Sequence, residues 1–196
     1  SPTDQVCSIS PSALSGGNYY APKSFEKIVL DGKGEDSIWE KAPWREIKYR
    51  WSGSDYTPQD FQGRYKIVWD KNSLYFLVEV IDNILSDQHR DPIEKYWQDD
   101  GIRISVRNPQ LDTGQSNKEP VTSFVLAING DVIELAPNNK SAKLVTEGLK
   151  VKRTNTKGNL HTWEVIYPIK NRKQPLMDGD FLGYTICYYD SDGKGD

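Results

Sequence analysis

Apolar residues recur at every second position through most of this chain, which is the period of a β-strand and not of a helix. In the run Asn72–Val80 one face carries Leu74, Phe76, Val78 and Val80, and the other carries Tyr75, Leu77 and Glu79. Both faces are largely apolar, so this strand is expected at the centre of a sheet. Ile102, Ile104 and Val106 alternate with Arg103, Ser105 and Arg107, the pattern of a strand buried on one face and wet on the other. Further strands are predicted over Gly63–Trp69, Thr122–Ile128, Val132–Ala136, Lys143–Arg153, Thr162–Ile169 and Phe181–Tyr189. Turn-forming runs separate them: Asp70-Lys71-Asn72, Asn129-Gly130-Asp131, Lys157-Gly158-Asn159 and Asp178-Gly179-Asp180. Asn129-Gly130 between two apolar runs predicts a tight hairpin. One short helix is predicted over Ser37–Ala42, capped by Asp36 and stopped before Pro43. Many strands with little helix predict an all-β fold: a two-sheet antiparallel β-sandwich of the jelly-roll or immunoglobulin-like kind.

Residues 1–24 show little periodicity and many Ser, Pro, Gly and Asn, and are expected to form an N-terminal arm or linker. Residues 25–196 then make one domain, since 196 residues suffice for one sizeable core and are few for two. The net charge of -3 gives no electrostatic reason to expect a nucleic-acid partner. No apolar run reaches the roughly 18 residues of a spanning helix, so no membrane partner is expected. Six Trp and eleven Tyr beside a single Met favour half-exposed aromatic surfaces, where a ring meets a partner while its polar handle stays wet. Cys7 and Cys187 lie near opposite ends of the chain. They read either as a bridge in an oxidising compartment or as two separate thiols, with Cys187 packed as a small hydrophobe.

The stretch Glu94-Lys95-Tyr96-Trp97-Gln98-Asp99-Asp100-Gly101 places two large aromatics and two carboxylates directly before a strand. An indole can lie flat on the C–H face of a pyranose, or it can pack beneath its own loop. Asp99 and Asp100 are adjacent and should point to opposite faces of the chain. They make a poor acid–base pair for glycoside hydrolysis, which needs two carboxyls across one bond. A metal or loop-bonding role suits them better. Arg103 could grip hydroxyls through its fork of donors or stand as a solvated charge. Trp51, in the loop-like Arg50-Trp51-Ser52-Gly53, is a second exposed-aromatic candidate. Asp190-Ser191-Asp192-Gly193 has alternating carboxylates and a turn glycine, which suits calcium, with Asp190 and Asp192 as ligands and Asp31 in another site. Two His and two distant Cys form no zinc pattern, and no nucleophile elbow or phosphate loop occurs.

Taken in order, Leu30-Asp31-Gly32, Ile38-Trp39-Glu40-Lys41-Ala42, Trp69-Asp70, Val80-Ile81-Asp82, Trp97-Gln98-Asp99-Asp100, Trp163-Glu164-Val165 and Asp190-Ser191-Asp192 resemble the family 9 carbohydrate-binding modules and the wider DOMON-like β-sandwiches. The resemblance runs from about Phe25 onward. It implies a non-catalytic, secreted, periplasmic or cell-surface module with structural calcium that binds polysaccharide or oligosaccharide. The expected ligand is a plant or algal cell-wall glucan or xylan held by aromatic stacking. The module is expected to be a monomer, with a catalytic domain possible elsewhere in the protein. One clamp Trp of the family stands three residues before the Asp that opens a central strand, and Trp97 occupies that position, with Tyr96 beside it as scaffold. Three residues after that Asp the family carries a sugar-bonding Glu; here it is Arg103. A basic residue expected on the next strand falls near Val125. Two alternatives follow: a DOMON-like haem b electron carrier, with Met177 and His161 as axial ligands, or a ligand-free structural domain of a larger secreted glycoside hydrolase.

Overall fold

A computed structural model describes residues 4–9, 18–47, 49–52, 57–108, 121–136, 141–170 and 172–191. Among these residues, twelve strands form two antiparallel sheets, apart from one short helix, α1 (Ile38–Lys41), and a 3-10 turn (Tyr96–Gln98). The seven-stranded sheet contains β1 (Asp4–Ile9), β3 (Tyr49–Ser52), β6 (Gly101–Arg107), β7 (Val121–Ala127), β8 (Val132–Leu135), β9 (Ala142–Val145) and β12 (Gly183–Asp190), in the order β3-β1-β12-β6-β7-β8-β9. The five-stranded sheet contains β2 (Arg45–Ile47), β4 (Phe61–Trp69), β5 (Ser73–Asp82), β10 (Lys150–Lys157) and β11 (Leu160–Pro168), in the order β10-β11-β5-β4-β2.

The β-sandwich expected from the alternation is the observed architecture. Inward residues of both sheets, among them Phe61, Tyr65, Phe76, Ile102, Ile104, Trp163, Ile186 and Tyr188, share one core. Each such side chain contributes about 1.5–3 kcal/mol on burial. β5 does lie at the centre of its sheet, between β11 and β4. Its second apolar face is covered because residues 28–44 fold over the outside of the sheet. There Ile28, Trp39 and Ala42 pack on Val68 and Leu77.

Several elements differ from the alternation. Asp4–Ile9, inside the expected arm, pairs as β1 with β12 and β3, and Cys7 stands opposite Cys187 in that register. Cys187 is disulfide-bonded, and Cys7 is the only other cysteine in the chain. Residues 18–24 are held along the end of β4 by Trp69 N–H on Pro22 O (3.1 Å) and Ser24 N–H on Trp69 O (2.7 Å). The single strand expected over Lys143–Arg153 is two, β9 and β10, because Gly148 takes φ +104° and turns the chain between sheets. Trp51, expected in a loop, has strand backbone in β3; its side chain lies outside the described part of the structure. Asp36 does not cap α1 through its side chain: its carboxylate accepts Val29 N–H at 3.3 Å.

The turn Asp31–Gly34 is anchored by a buried carboxylate. Glu164 accepts the N–H groups of Asp31 (2.9 Å), Gly32 (2.6 Å) and Gly34 (3.1 Å). Gly32 at φ +81° and Gly34 at φ +69° give the backbone the left-handed turns that converge these donors. Removing the acceptor leaves one buried and two half-buried donors without their bond. Glu164→Ala is therefore expected to lower stability by about 3 kcal/mol, measured as a shift in urea midpoint. A loss below about 0.5 kcal/mol would contradict the anchor. Reducing the disulfide frees a loop spanning almost the whole chain, so Cys7→Ser/Cys187→Ser should cost about 5 kcal/mol in the chain-entropy limit. Equal denaturation curves for the variant and the oxidised protein would refute that cost.

Candidate functional site

Between the end of β5 and the start of β6 the chain makes a long excursion, residues 83–100, and its return is fixed by two adjacent aspartates. Asp99 turns toward the loop: its carboxylate accepts Gln88 N–H (2.8 Å) and His89 N–H (3.3 Å) and contacts His89 Nδ1 (2.9 Å). Asp100 turns inward, where it accepts Ser86 N–H and Ser191 N–H, each at 2.6 Å. The two carboxylates thus diverge, as adjacent residues at a strand start should. Gly101 follows because an added Cβ would come within 2.8 Å of Leu126 O, so only a bare backbone fits beside β7 there.

Lys95 precedes the aromatic pair at φ 55°, a left-handed conformation that costs a non-glycine residue about 1–2 kcal/mol. That turn starts the 3-10 segment and projects Trp97, which is 44% exposed. Tyr96 supports it edge-on: the ring centroids are 5.1 Å apart at 89°. Tyr96 in turn meets Tyr189 at 6.2 Å and 69°. These rings rest on an apolar cluster of Val125, Ile133, Leu135 and Tyr189 on the outside of the seven-stranded sheet. Burial raises the pKa of both tyrosines, and the charge of Arg103 works against that rise. Arg103 also bonds Tyr189 through its side chain. The wet face expected for β6 is thus only half exposed at Arg103 and Ser105. Arg103 serves the aromatic support, and its cross-strand neighbour is the buried Val125. The hollow beside Tyr96, bordered by His89, Pro92 and Asn129, measures about 30 Å³, too small for a sugar ring. A ligand would have to lie on the outer surface of the indole.

A second cluster lies beneath the loop. Asp82 closes β5, Asp100 precedes β6 and Asp190 closes β12, so both sheets contribute. All three are buried, and one carboxylate oxygen of each lies within 4.8 Å of the others. Tyr188 O–H donates to Asp82 at 2.6 Å. Burial pushes Asp100 up to about 9, its two backbone bonds oppose that, and the charges of Asp82 and Asp190 add to it. Three carboxylates in so small a buried volume need protons or a cation. An all-oxygen, anionic donor set suits a hard cation such as calcium rather than zinc. Of the predicted metal residues, Asp190 belongs to this cluster and Asp192 lies outside the described residues. Asp31 is elsewhere: its carboxylate accepts Lys33 N–H at 2.9 Å in a local turn. Sequence reasoning gave Asp100 a metal or loop-bonding role but did not join it to Asp190, and it did not single out Asp82. Their signal was that each stands at a strand end next to an apolar run, so strand ends of both sheets could converge there.

Met177 and His161 do not form an axial pair. Leu176 N–H bonds Lys71 O, just before β5 begins, whereas His161 pairs with Val80 near its end. Along β5 that separation is about 25 Å. His161 is buried beside Arg153 (3.1 Å), and burial lowers its pKa.

Solved structures share this architecture. A family 9 carbohydrate binding module from Caldicellulosiruptor kristjanssonii in complex with cellotriose aligns with a TM-score of 0.58 at 16% identity, covering 87% of this chain and 84% of that one. The glucose complex aligns equally, with 85% of that chain covered. A protein from Bacteroides uniformis aligns with a TM-score of 0.54 at 9% identity, covering 90% and 91% of the two chains. No curated protein matches the sequence significantly. The family model described as "Carbohydrate family 9 binding domain-like" matches residues 30–196, and with β2 to β12, the projecting Trp97 and the convergent aspartates inside that span, the chain belongs to this family of binding modules.

Proposed function

We propose that the chain binds a neutral cell-wall polysaccharide, a glucan or xylan of plants or algae, by laying a pyranose ring against Trp97. The observation that carries this reading is the exposed indole, braced by Tyr96 and raised on a loop that Asp99 and Asp100 hold in place. The solved neighbours with cellotriose and glucose lend support to this ligand class. Arg103 steadies the platform from below through Tyr189. A rigid support matters because less freedom is then lost on binding. The reading carries with it an extracellular or periplasmic setting, which suits the disulfide.

Calcium at Asp82, Asp100 and Asp190 belongs to the same reading. There it would neutralise the buried carboxylates and tie the 83–100 loop to both sheets. The residues themselves fix the loop register through Ser86 N–H and Ser191 N–H.

Trp97→Ala is expected to weaken oligosaccharide binding at the platform by at least tenfold while shifting the melting midpoint by less than about 3 °C, since the ring is half exposed. Isothermal titration with cello- and xylo-oligosaccharides reads the first and a thermal scan the second. Titrations identical to those of the wild type would remove Trp97 from the site.

Chelation is expected to lower the melting midpoint, because an ion bound only to the folded state stabilises it. The pH dependence has a defined sign. In the calcium-free protein, Asp100 rises from an ordinary 3.8 to about 9. It therefore favours folding below about pH 4, and that contribution is lost as pH rises toward 9. Calcium needs the ionised form, so the gap between calcium-loaded and chelated midpoints should widen from pH 5 to pH 9. No gap at any pH would dismiss the ion.

A further inference from the structure

Among the described residues, the outer face of the five-stranded sheet is covered only in part. Residues 28–44 close over Val68 and Leu77, and beyond Trp44 the sheet opens into a shallow groove of about 550 Å³. That volume lies within the range of small-ligand sites, roughly 300–1,000 Å³. Its floor is set by strand register: Gln62 stands opposite Ile81, Arg64 opposite Glu79, and Leu160 beside Ile81. The turn at Pro58 borders one side and Glu46 another.

The polar groups are held before any ligand arrives. Arg64 bonds one oxygen of Glu79 through Nε (2.7 Å) and Nη2 (2.6 Å). Its guanidinium also stacks 4.0 Å from the Trp44 ring centroid, so the fork is fixed in orientation. Among the described residues, Arg64 Nη1 and Glu79 Oε1 make no bond. Gln62 gives one amide N–H to Pro58 O at 2.7 Å, which fixes the amide and leaves its carbonyl as an acceptor. Ile81, 38% exposed, and Leu160 supply apolar strips between these groups.

We infer that this groove is a second saccharide site, on the other sheet from Trp97, for a neutral oligosaccharide. The centre of the groove pairs one cation with one anion, so it offers a polyanion no net attraction. A fixed donor fork beside fixed acceptors matches hydroxyl groups, which donate and accept at once. The apolar strips match the C–H faces between those hydroxyls. The ligand class rests on the carbohydrate-binding reading above; the groove and its fixed groups do not. Two sites on opposite sheets make the module bivalent, able to hold two polysaccharide chains together.

The test uses the full chain with cellohexaose and xylohexaose, read by isothermal titration and by ¹H–¹⁵N spectra. Trp97→Ala protein should still bind one oligosaccharide, and the ligand should move the Gln62 side-chain amide and Arg64 Nε–H signals. On that background, Gln62→Ala/Arg64→Ala should weaken binding at least tenfold. Ile81→Lys, which fills the groove and keeps the Arg64–Glu79 pair, should do the same. The inference is overturned if neither ligand moves those signals, if these variants bind as the Trp97→Ala parent does, or if polygalacturonate binds the groove more tightly than either neutral ligand. If the groove variants alone remove all binding and Trp97→Ala removes none, the groove stands and the Trp97 reading falls.

Discussion

Burying carboxylates is expensive, and this fold does so repeatedly at the places where loops meet sheets. Asp82, Asp100 and Asp190 converge at one pole of the sandwich, where β5 of one sheet ends beside β6 and β12 of the other. The backbone donors of Ser86 and Ser191 compensate Asp100 in part. Asp99 organises the next turn outward, gathering Gln88 and His89. The loop that carries Trp97 has few buried apolar residues of its own, so its geometry follows from these bonds. On the five-stranded sheet Glu164 plays the equivalent part for the 31–34 turn, through three N–H groups. In both places a side chain in or next to a regular strand dictates the path of an irregular segment.

That arrangement explains which parts of the molecule the sequence reveals. β5 and β6 were legible because burial on one or both faces imposes a period of two, and Leu74 through Val80 and Ile102 through Val106 carry it plainly. β1 was not legible. Asp4-Gln5-Val6-Cys7-Ser8-Ile9 is short and polar, and its position comes from pairing with β12 across almost the whole chain. No local pattern encodes such a partner. The break between β9 and β10 was hidden for a related reason: Gly148 reverses the chain without the Asn, Asp or Pro that usually signals a turn.

The site was legible to a similar degree. Trp97 stood out as one of two large aromatics directly before a strand, and the structure sets the Tyr96 ring edge-on against it. Arg103 looked like a solvent-facing residue from alternation alone. Alternation describes the two faces of an isolated strand, and here the outer face carries its own cluster of Val125, Ile133 and Leu135. Acidic convergence is harder still to read. Asp82, Asp100 and Asp190 are 18 and 90 residues apart in succession, and only the shared pole of two sheets brings them within reach. The sequence marked Asp190 through a local Asp-x-Asp, which is a weaker physical criterion than shared burial.

The same contrast between covered and open surface separates the two proposed binding faces. On the seven-stranded sheet, packing closes the strand surface around Val125, and the exposed Trp97 ring stands clear of it. On the five-stranded sheet, Trp44 ends the covering segment by stacking on Arg64 and standing near Lys66 Nζ (4.7 Å). The cations hold the edge of the cover in place, and among the described residues the strand surface beyond it stays open. An indole offers area with little direction, and a clamped guanidinium beside a carboxylate offers direction with little area. A polymer of pyranose rings presents both a flat C–H face and a rim of hydroxyls, so it can satisfy either surface. The two surfaces lie on opposite sheets, so one chain would have to wrap around the sandwich to satisfy both, whereas two chains need not bend. Two faces of this kind therefore favour bridging over wrapping.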